Sequence, residues 1–203
     1  MHLSEARVIL KELIFILATV AVLPALVSFY LRSTVLGRDR ALEGSGQVLS
    51  LVPGLLGQFI RRAFYARVLT SFHRSVIIEF GTLISKADAR FDENVYVGPF
   101  CLLGLVHIER DVLLGPGVHI PSGSETHGMG DHTIPVREQE GTRRCVVIGA
   151  GSWIGSNAVV MDAVGRNSVV GAGAVVTRPV PDNVVVGGVP AQVLHDRTAS
   201  ASR

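Results

Sequence analysis

The sequence predicts a mainly β chain, a parallel β-helix of six-residue repeats preceded by a membrane helix and an amphipathic helix. Three observations predict this fold. From Phe91 onward, aliphatic residues recur at every sixth position over roughly a hundred residues. Residues 13–31 carry no charge, and an apolar stripe at helical spacing follows them. A repeat of fixed short period decides the architecture before local propensity does.

The bulk composition limits the class of protein. The 203-residue chain is long enough for one domain of ordinary size with an appendage. Hydrophobic residues make up 48% of it and the mean hydropathy is +0.41, which favours a membrane segment. The net charge of +2 lacks the excess expected of a nucleic-acid-binding protein, so we expect no nucleic-acid partner. The two cysteines, Cys101 and Cys145, are too few for a disulfide framework, and we expect both to be small buried residues in a reducing compartment.

Residues 13–31, LIFILATVAVLPALVSFYL, are the candidate membrane segment. Their length at helical rise matches a bilayer core of about 30 Å, and Pro24 predicts a kink. A signal peptide is the alternative, but its apolar core is shorter and ends in small residues. Since arginines are in excess after the segment, we expect the inner (cytoplasmic) membrane, with the C-terminal bulk facing the cytoplasm. Spanning and a re-entrant hairpin with the next helix both stay open.

Residues 1–46 are interpreted as the membrane helix and a linker, because residues 37–47 are polar and rich in glycine. Residues 47–75 are interpreted as an amphipathic basic helix with Pro53 in its first turn. The predicted apolar face holds Leu55, Leu56, Phe59, Ile60, Ala63 and Phe64, and away from it lie Gln58, Arg61, Arg62 and Tyr65. Such a helix suits a membrane interface, and packing on its own domain is the equal alternative.

Residues 76–193 are interpreted as the β-helix and residues 194–203 as a tail. In most units the first place is aliphatic, the second is often glycine and the fifth is small. Six residues make one short strand and one corner, so three units close a triangular coil. The first place then points inward and stacks on its equivalent about 4.8 Å away. A β-sandwich is the alternative, but its strands recur at about 8–12 residues with period-two alternation.

The repeat stops at Ile120 and resumes at Ile148, which leaves residues 121–147 as an expelled loop. A long insertion in a compact domain is usually functional, and disorder is the alternative. This loop carries two histidines, His127 and His132. Histidine is the natural general base near neutral pH, so the loop is the candidate catalytic segment.

The repeats and their flanks resemble the left-handed β-helix (hexapeptide-repeat) acyltransferases. Within that family they resemble membrane-associated polysaccharide O-acetyltransferases similar to the maltose, nodulation-factor and serine O-acetyltransferases. The likeness covers about residues 47–193 and is carried by NVYVGPFCLLG, VGAGAVVTRPVPDNVVVGGVPAQV and SLVPGLLGQFIRRAFY. It implies a left-handed coil, a homotrimer, acetyl-CoA as co-substrate and a hydroxyl of a cell-surface or lipid-linked saccharide as acceptor.

The resemblance also implies a catalytic residue. In SGSETHG, the histidine soon after the SG pair that leaves the coil corresponds to the family's base, which places that role on His127. His132 is the second choice. Glu125, Asp131 or a backbone carbonyl would orient the imidazole. Acetyl transfer would be direct, with no covalent enzyme intermediate and no metal.

The residues that the resemblance implies for acetyl-CoA are Ser156, Ala172, Thr177 and Arg178. The first comes from IGSNAV and the others from GAGAVVTR. The family usually has lysine where this chain has Arg178, and a guanidinium can still meet phosphate, with a forked geometry. Gln192 stands where a second lysine is common, which leaves Arg197 as its candidate substitute.

Two other classes of function stay open. One is a zinc enzyme like the hexapeptide-repeat carbonic anhydrases, which needs three converging histidines. His107 and His119 fall on different faces of the predicted coil, so no metal site is expected. The other is a non-catalytic β-helix scaffold at the membrane. The polar loop argues against it, because a scaffold has no need to interrupt its ladder.

Overall fold

A computed structural model gives the structure of the chain and describes residues 13–199. Within that part four helices come first: α1 (Leu13–Ala21), α2 (Leu23–Leu36), α3 (Arg38–Ser50) and α4 (Gly54–Val68). Short strands then build a coil with three faces, and each face is a sheet of parallel strands.

The strands follow one another around the three faces in turn. The first face contains β1 (Ser71–Phe72), β4 (Arg90–Phe91), β7 (Val106–Ile108) and β10 (Val146–Ile148), and bridges at Val164 and Val180 continue it. The second contains β2 (Ile77–Ile78), β5 (Tyr96–Val97), β8 (Leu113–Leu114), β11 (Trp153–Ile154), β13 (Val169–Val170) and β15 (Val184–Gly187). The third contains β3 (Leu83–Ile84), β6 (Leu102–Leu103), β9 (His119–Ile120), β12 (Val159–Val160) and β14 (Val175–Val176). The last strand, β16 (Gln192–Asp196), pairs antiparallel with β15.

The inward stacking that the repeat predicted is confirmed. On the first face Phe91 pairs with Ile108, which pairs with Ile148, and all three are fully buried. The β-helix begins one coil before Phe91, where the pattern first becomes regular in sequence. Ile78 and Ile84 of that first coil are already buried, at 1% exposure each.

The helices cover the open end of the first coil. In the second coil the carbonyls of Val95 and Val97 accept from the coil before them, from Ile77 N and Glu79 N, at 2.9 Å each. Their equivalents in the first coil, Val76 and Ile78, have no coil before them. These two carbonyls accept instead from arginines of α4, Val76 from Arg62 Nε at 3.1 Å and Ile78 from Arg61 Nε at 2.9 Å. Likewise Gly81 N donates to Ser50 O at the end of α3, at 2.9 Å.

This role of α4 corrects the predicted assignment of its faces. Arg61 and Tyr65, predicted away from the apolar face, are fully buried, whereas Leu55 and Leu56 are 70% and 64% exposed. Arg61 tolerates burial because backbone carbonyls accept hydrogen bonds from its Nε and Nη1. Besides Ile78 O, its Nη1 reaches Val52 O at 2.8 Å and Leu49 O at 3.2 Å. The structure therefore shows the alternative in which α4 packs on its own domain.

The linker predicted at residues 37–47 is wrong, since all of it except Gly37 lies in α3. Tertiary contacts override the low helix propensity of its glycines and serine. Ala41 and Leu42 are fully buried, and Arg32 Nη2 of α2 donates to Ser45 Oγ at 2.6 Å. Gly46 lets α3 approach α4, because a Cβ there would lie 3.2 Å from the Tyr65 hydroxyl.

The single membrane helix predicted for residues 13–31 is not confirmed. Within residues 13–199, no one helix has both the length and the hydropathy to cross a bilayer. The helices α1 and α2 meet those criteria only as a pair, bent by 49°. The bend lies directly before Pro24 in the first turn of α2, so the predicted kink is present.

Candidate active site

The expelled loop is confirmed as the interruption of the coil. The chain leaves the third face after Ile120 and returns to the first face at Val146, so the loop ends slightly before the predicted residue 147. Its irregular path contains one 3₁₀ turn, Val136–Glu138. Ser122 fastens the root of the loop, since its carbonyl accepts from Arg144 N at 2.8 Å and its Oγ from Leu105 N at 2.9 Å.

His127 lies exposed on the outgoing limb of this loop. The returning limb runs against it, and Thr142 N donates to Glu125 O at 2.6 Å. Gly141 makes this approach possible, because a Cβ there would lie 2.5 Å from His127 N. The backbone of His127 therefore packs closely against the returning limb, while its imidazole remains exposed.

Neither carboxylate that sequence offered as an orienting group is bonded to His127. Asp131 accepts from Thr133 Oγ1 at 2.6 Å and from Thr133 N at 2.8 Å, and these bonds lower the pKa of its carboxyl. Glu125 Oε2 lies 3.9 Å from Arg144 Nη2. Within residues 13–199 the His127 imidazole makes no hydrogen bond, and His132 lies exposed on the same loop.

The two coil histidines considered as zinc ligands, His107 and His119, lie on different faces, as predicted. His107 is in β7 on the first face, where its Nε2 lies 3.3 Å from both carboxylate oxygens of Asp92. His119 is in β9 on the third face. Among the described residues, no three histidine, cysteine or acidic side chains converge as a metal site would require.

The four residues implied for acetyl-CoA flank the third face. Ser156 and Ala172 lie in successive coils at the corner between the second and third faces, where Gly173 N donates to Ser156 O at 2.9 Å. Thr177 and Arg178 follow β14 at the corner between the third and first faces. The expelled loop leaves from this same corner, at a coil nearer the helices. The fold thus brings the loop and the implied coenzyme residues to one face and its two edges.

Glycines narrow the corner that holds Ser156 and Ala172. A Cβ on Gly115 would lie 2.8 Å from Ser156 N, and one on Gly155 would lie 2.5 Å from Ala172 N. Successive coils therefore stack with their backbones in contact and no side chain between them. Such a corner offers backbone polar groups along a smooth edge, to which an extended amide-containing chain can bind.

Arg178 and Arg197 have different surroundings. Thr177 and Arg178 line a cavity of about 230 Å³ together with Gln192, and Arg178 is exposed without an ion pair inside residues 13–199. Arg197 instead donates its Nη1 to Asn167 O, at the corner between the first and second faces. The antiparallel return of β16 carries Arg197 to that corner, away from Arg178. The structure therefore does not support Arg197 as the substitute phosphate ligand.

Sequence reasoning missed a larger cavity beside the root of the loop. It measures about 480 Å³ and lies between α3 and the third face. Its polar lining includes Glu43 and Gln47 of α3 and Ser85, His119 and Ser122 of the coil, and its apolar lining includes Leu83 and Leu102. The available signal was the spacing of Glu43 and Gln47, four residues apart, within a segment interpreted as a linker.

The two cysteines differ in burial. Cys101 is fully buried, as predicted, with Sγ 3.3 Å from Gly115 O, and burial raises the pKa of its thiol. Cys145 is exposed, and the prediction that it is buried is wrong, because it is the last loop residue before β10. Its pKa is also raised, by desolvation. Neither thiol has the lowered pKa of an activated nucleophile.

Solved structures similar to this chain include several acetyltransferases. A maltose O-acetyltransferase from Clostridium difficile matches 78% of this chain and 87% of its own, at 21% identity and a TM-score of 0.65. A hexapeptide-repeat acetyltransferase from Vibrio cholerae, complexed with acetyl-CoA, matches 81% and 91%, at 22% identity and a TM-score of 0.66. A galactoside acetyltransferase in complex with coenzyme A matches 78% and 82%, at 22% identity and a TM-score of 0.61.

No protein-family model and no curated protein matches the sequence. The likeness is therefore one of structure, and it extends over most of the chain and most of each of these neighbours. The chain has the hexapeptide-repeat β-helix fold of these acetyltransferases.

Proposed function

We propose that this chain transfers an acetyl group from acetyl-CoA to a saccharide hydroxyl, with His127 as general base. One observation carries the proposal. The loop that bears His127 leaves the coil at the same corner as Thr177 and Arg178. Solved proteins of the same fold hold acetyl-CoA or coenzyme A.

The chemistry needs one proton removed and one thioester bond broken. The neutral His127 imidazole takes the proton of the acceptor hydroxyl as its oxygen attacks the thioester carbonyl carbon. Backbone N–H groups hold the oxyanion that forms. The carbon–sulfur bond then breaks, and the coenzyme A thiolate leaves and recovers the proton from the imidazolium. The products are the acetyl ester and coenzyme A, with no covalent enzyme intermediate.

The coenzyme would bind along the third face. The pantetheine arm is an extended chain with two amides, and it fits the glycine-lined corner at Ser156 and Ala172. The guanidinium of Arg178 supplies the charge-assisted hydrogen bonds that phosphates require. Thr177 lines the same cavity and adds a hydroxyl.

The acceptor would bind in the 480 Å³ cavity beside the loop root. Its volume is large enough for a sugar unit, and its lining combines carboxylate, amide and imidazole groups with leucine side chains. Such a mixture suits a ring with hydroxyl edges and apolar faces. We further propose that the acceptor is a cell-surface or lipid-linked saccharide, handled at a membrane by a homotrimer.

The test is acetyl-CoA binding followed by transfer. Calorimetry on the purified full chain should show saturable binding, with desulfo-CoA competing and adenosine competing poorly. Mass spectrometry of a saccharide panel should then show acetyl esters. Absence of coenzyme binding would remove the proposal, and stoichiometric zinc in the same preparation would favour the metalloenzyme.

Glu43 tests the acceptor cavity separately. Glu43→Gln should raise the KM for the saccharide without changing acetyl-CoA binding. The reason is that Glu43 of α3 lines the proposed acceptor cavity but does not line the cavity that contains Arg178. An unchanged KM would place the acceptor elsewhere.

A further inference from the structure

The helices α1 and α2 are apolar on two opposite sides. One side packs on the protein and contains Ala18, Val22, Leu26 and Phe29. The other side is between 57% and 68% exposed and contains Leu17, Val20, Val27 and Leu31. A helix that is apolar all round is normally buried on all sides, so the exposed side requires an apolar partner.

Both halves of this bent pair are tied to one residue, Arg67 in the last turn of α4. The ring centroid of Phe15 in α1 lies 5.7 Å from the Arg67 guanidinium carbon, and Arg67 Nη2 donates to Thr19 Oγ1 at 3.0 Å. In α2, the Tyr30 hydroxyl donates to Arg67 O at 2.9 Å. The 49° bend lets residues from both helices meet the same arginine. The apolar segment therefore runs alongside α4.

This placement is incompatible with a simple crossing of the bilayer. If α1 and α2 crossed it in this conformation, the exposed Arg67 and the end of α4 would enter the hydrocarbon with them. A charged side chain at that depth is costly unless it pairs inside a bundle or a wet cavity. Among the described residues, the side chain of Arg67 has a hydroxyl, a backbone carbonyl and a phenyl ring as its partners. The guanidinium of Arg67 is therefore expected at the level of the lipid headgroups.

The charges of these helices point to the same partner. Residues 13–36 and 54–68 contain no aspartate or glutamate, and their cations are Arg32, Arg61, Arg62 and Arg67. Arg61 is buried and Arg62 is partly buried with its Nε on Val76 O, which leaves Arg32 and Arg67 for anionic lipid headgroups. A second copy of the chain on this surface would bring like charges together.

We propose that α1 and α2 lie in the plane of the membrane interface and do not span the bilayer. Their exposed apolar side enters the acyl-chain boundary, and Arg67 and Arg32 meet anionic headgroups. The proposal concerns the helices alone and holds whatever reaction the coil performs.

The first experiment locates the two ends of the full chain. An epitope ahead of Met1 and another after Arg203 are exposed to protease in spheroplasts and in inverted membrane vesicles. Both epitopes should be cut in inverted vesicles and protected in spheroplasts. Cleavage of the two epitopes in opposite preparations would show a crossing and would overturn the proposal.

The second experiment measures flotation of the purified chain with vesicles of phosphatidylcholine, with and without phosphatidylglycerol. Leu17→Glu with Leu31→Glu should lower the bound fraction at least about tenfold, since two charges enter the apolar boundary. Leu194→Glu is the matched control, because Leu194 is similarly exposed at 64% but lies in β16. Omitting phosphatidylglycerol should also weaken binding.

Two outcomes of the flotation would overturn the proposal. One is an unchanged bound fraction in the double variant. The other is no binding by the unaltered chain together with a dimer that the double variant dissociates, which would make a second copy the partner of this surface. Acetyl-CoA binding, measured on the same samples, reports on the coil independently of either result.

Discussion

At the scale of single residues, His127 differs from His107 and His119 in the packing of its backbone more than in the contacts of its side chain. Its imidazole makes no hydrogen bond within residues 13–199, yet its main chain packs closely against the returning limb of the loop. His107, by contrast, already faces a carboxylate, and His119 stands on a regular strand. A general base needs a backbone that is fixed in position and a side chain that the substrate can reach, and His127 has both.

We expect His127→Asn to lower kcat by roughly 10²–10⁴-fold, the usual contribution of a general base. Acetyl-CoA affinity should not change, because the imidazole acts on the acceptor hydroxyl, whereas Thr177 and Arg178 are the residues proposed to hold the coenzyme. His132→Asn is the matched control, from the same exposed loop. Steady-state kinetics and calorimetry make the comparison, and a greater loss in the His132 variant would move the base to that residue.

Arg178→Ala should weaken acetyl-CoA binding about tenfold or more, because one charge-assisted hydrogen bond to phosphate is lost. The loss should shrink for dephospho forms of the coenzyme that lack the contacted phosphate. Arg197→Ala is the control, since that side chain donates to Asn167 O at another corner. Equal losses in both variants would contradict the assignment of Arg178.

At the scale of elements, the loop depends on close contact between its limbs. Gly141→Ala should lower kcat while leaving thermal stability nearly unchanged, because a Cβ there would displace the backbone at His127. Gly130→Ala, in the same loop, should have little effect, since nothing lies within 4 Å of a Cβ at that position. Kinetics with parallel melting curves compare them. Unchanged activity in the Gly141 variant would mean that the loop sets no geometry for catalysis.

The α4 cap is expected to be a large contributor to stability. Arg61→Met should lower the free energy of unfolding by about 2–4 kcal/mol, because several buried carbonyls lose their donor. Arg40→Met, at an exposed position in α3, should change it little. Denaturant titration followed by circular dichroism measures both. A loss for Arg61 no greater than that for Arg40 would show that those carbonyls find other donors.

Elements whose signal is local were predictable from sequence. The repeat carries its own period, so the inward place of Ile108 and the break after Ile120 could both be read from residue spacing. The α3 helix and the buried Arg61 could not, because their causes lie in other segments. The buried Arg61 donates to carbonyls of the first coil, of α3 and of the α3–α4 connection. The residues around Arg61 in sequence do not predict these partners.

The site was predictable in part for the same reason. The corners of Ser156 and Arg178 follow from their places in the repeat. The absence of Arg197 from the Arg178 cavity follows from the antiparallel return of β16, which breaks the repeat at its end. The 480 Å³ cavity depends on how α3 docks against the coil, which spacing along the chain does not encode.

At the scale of the whole molecule, we expect a homotrimer. Light scattering on the detergent-purified chain should give three times its 21.7 kDa mass.

If each site combines His127 of one subunit with Arg178 of the next, trimers mixed from His127→Asn and Arg178→Ala chains should recover activity that neither variant has alone. A monomer, or mixed trimers without recovery, would place both residues of a site in the same chain.

The covering of both ends of the coil also affects whether one chain can associate with another through its strand edges. A solenoid ends in rows of unpaired strands, and such edges recruit other strands into fibres. Here α3 and α4 occupy the first edge and β16 lies across the last. A chain shortened to begin at residue 69 would keep every coil yet expose a bare template at its start. Such a fragment should associate with other chains through that one bare edge, so the helices also protect the first coil from pairing with other strands.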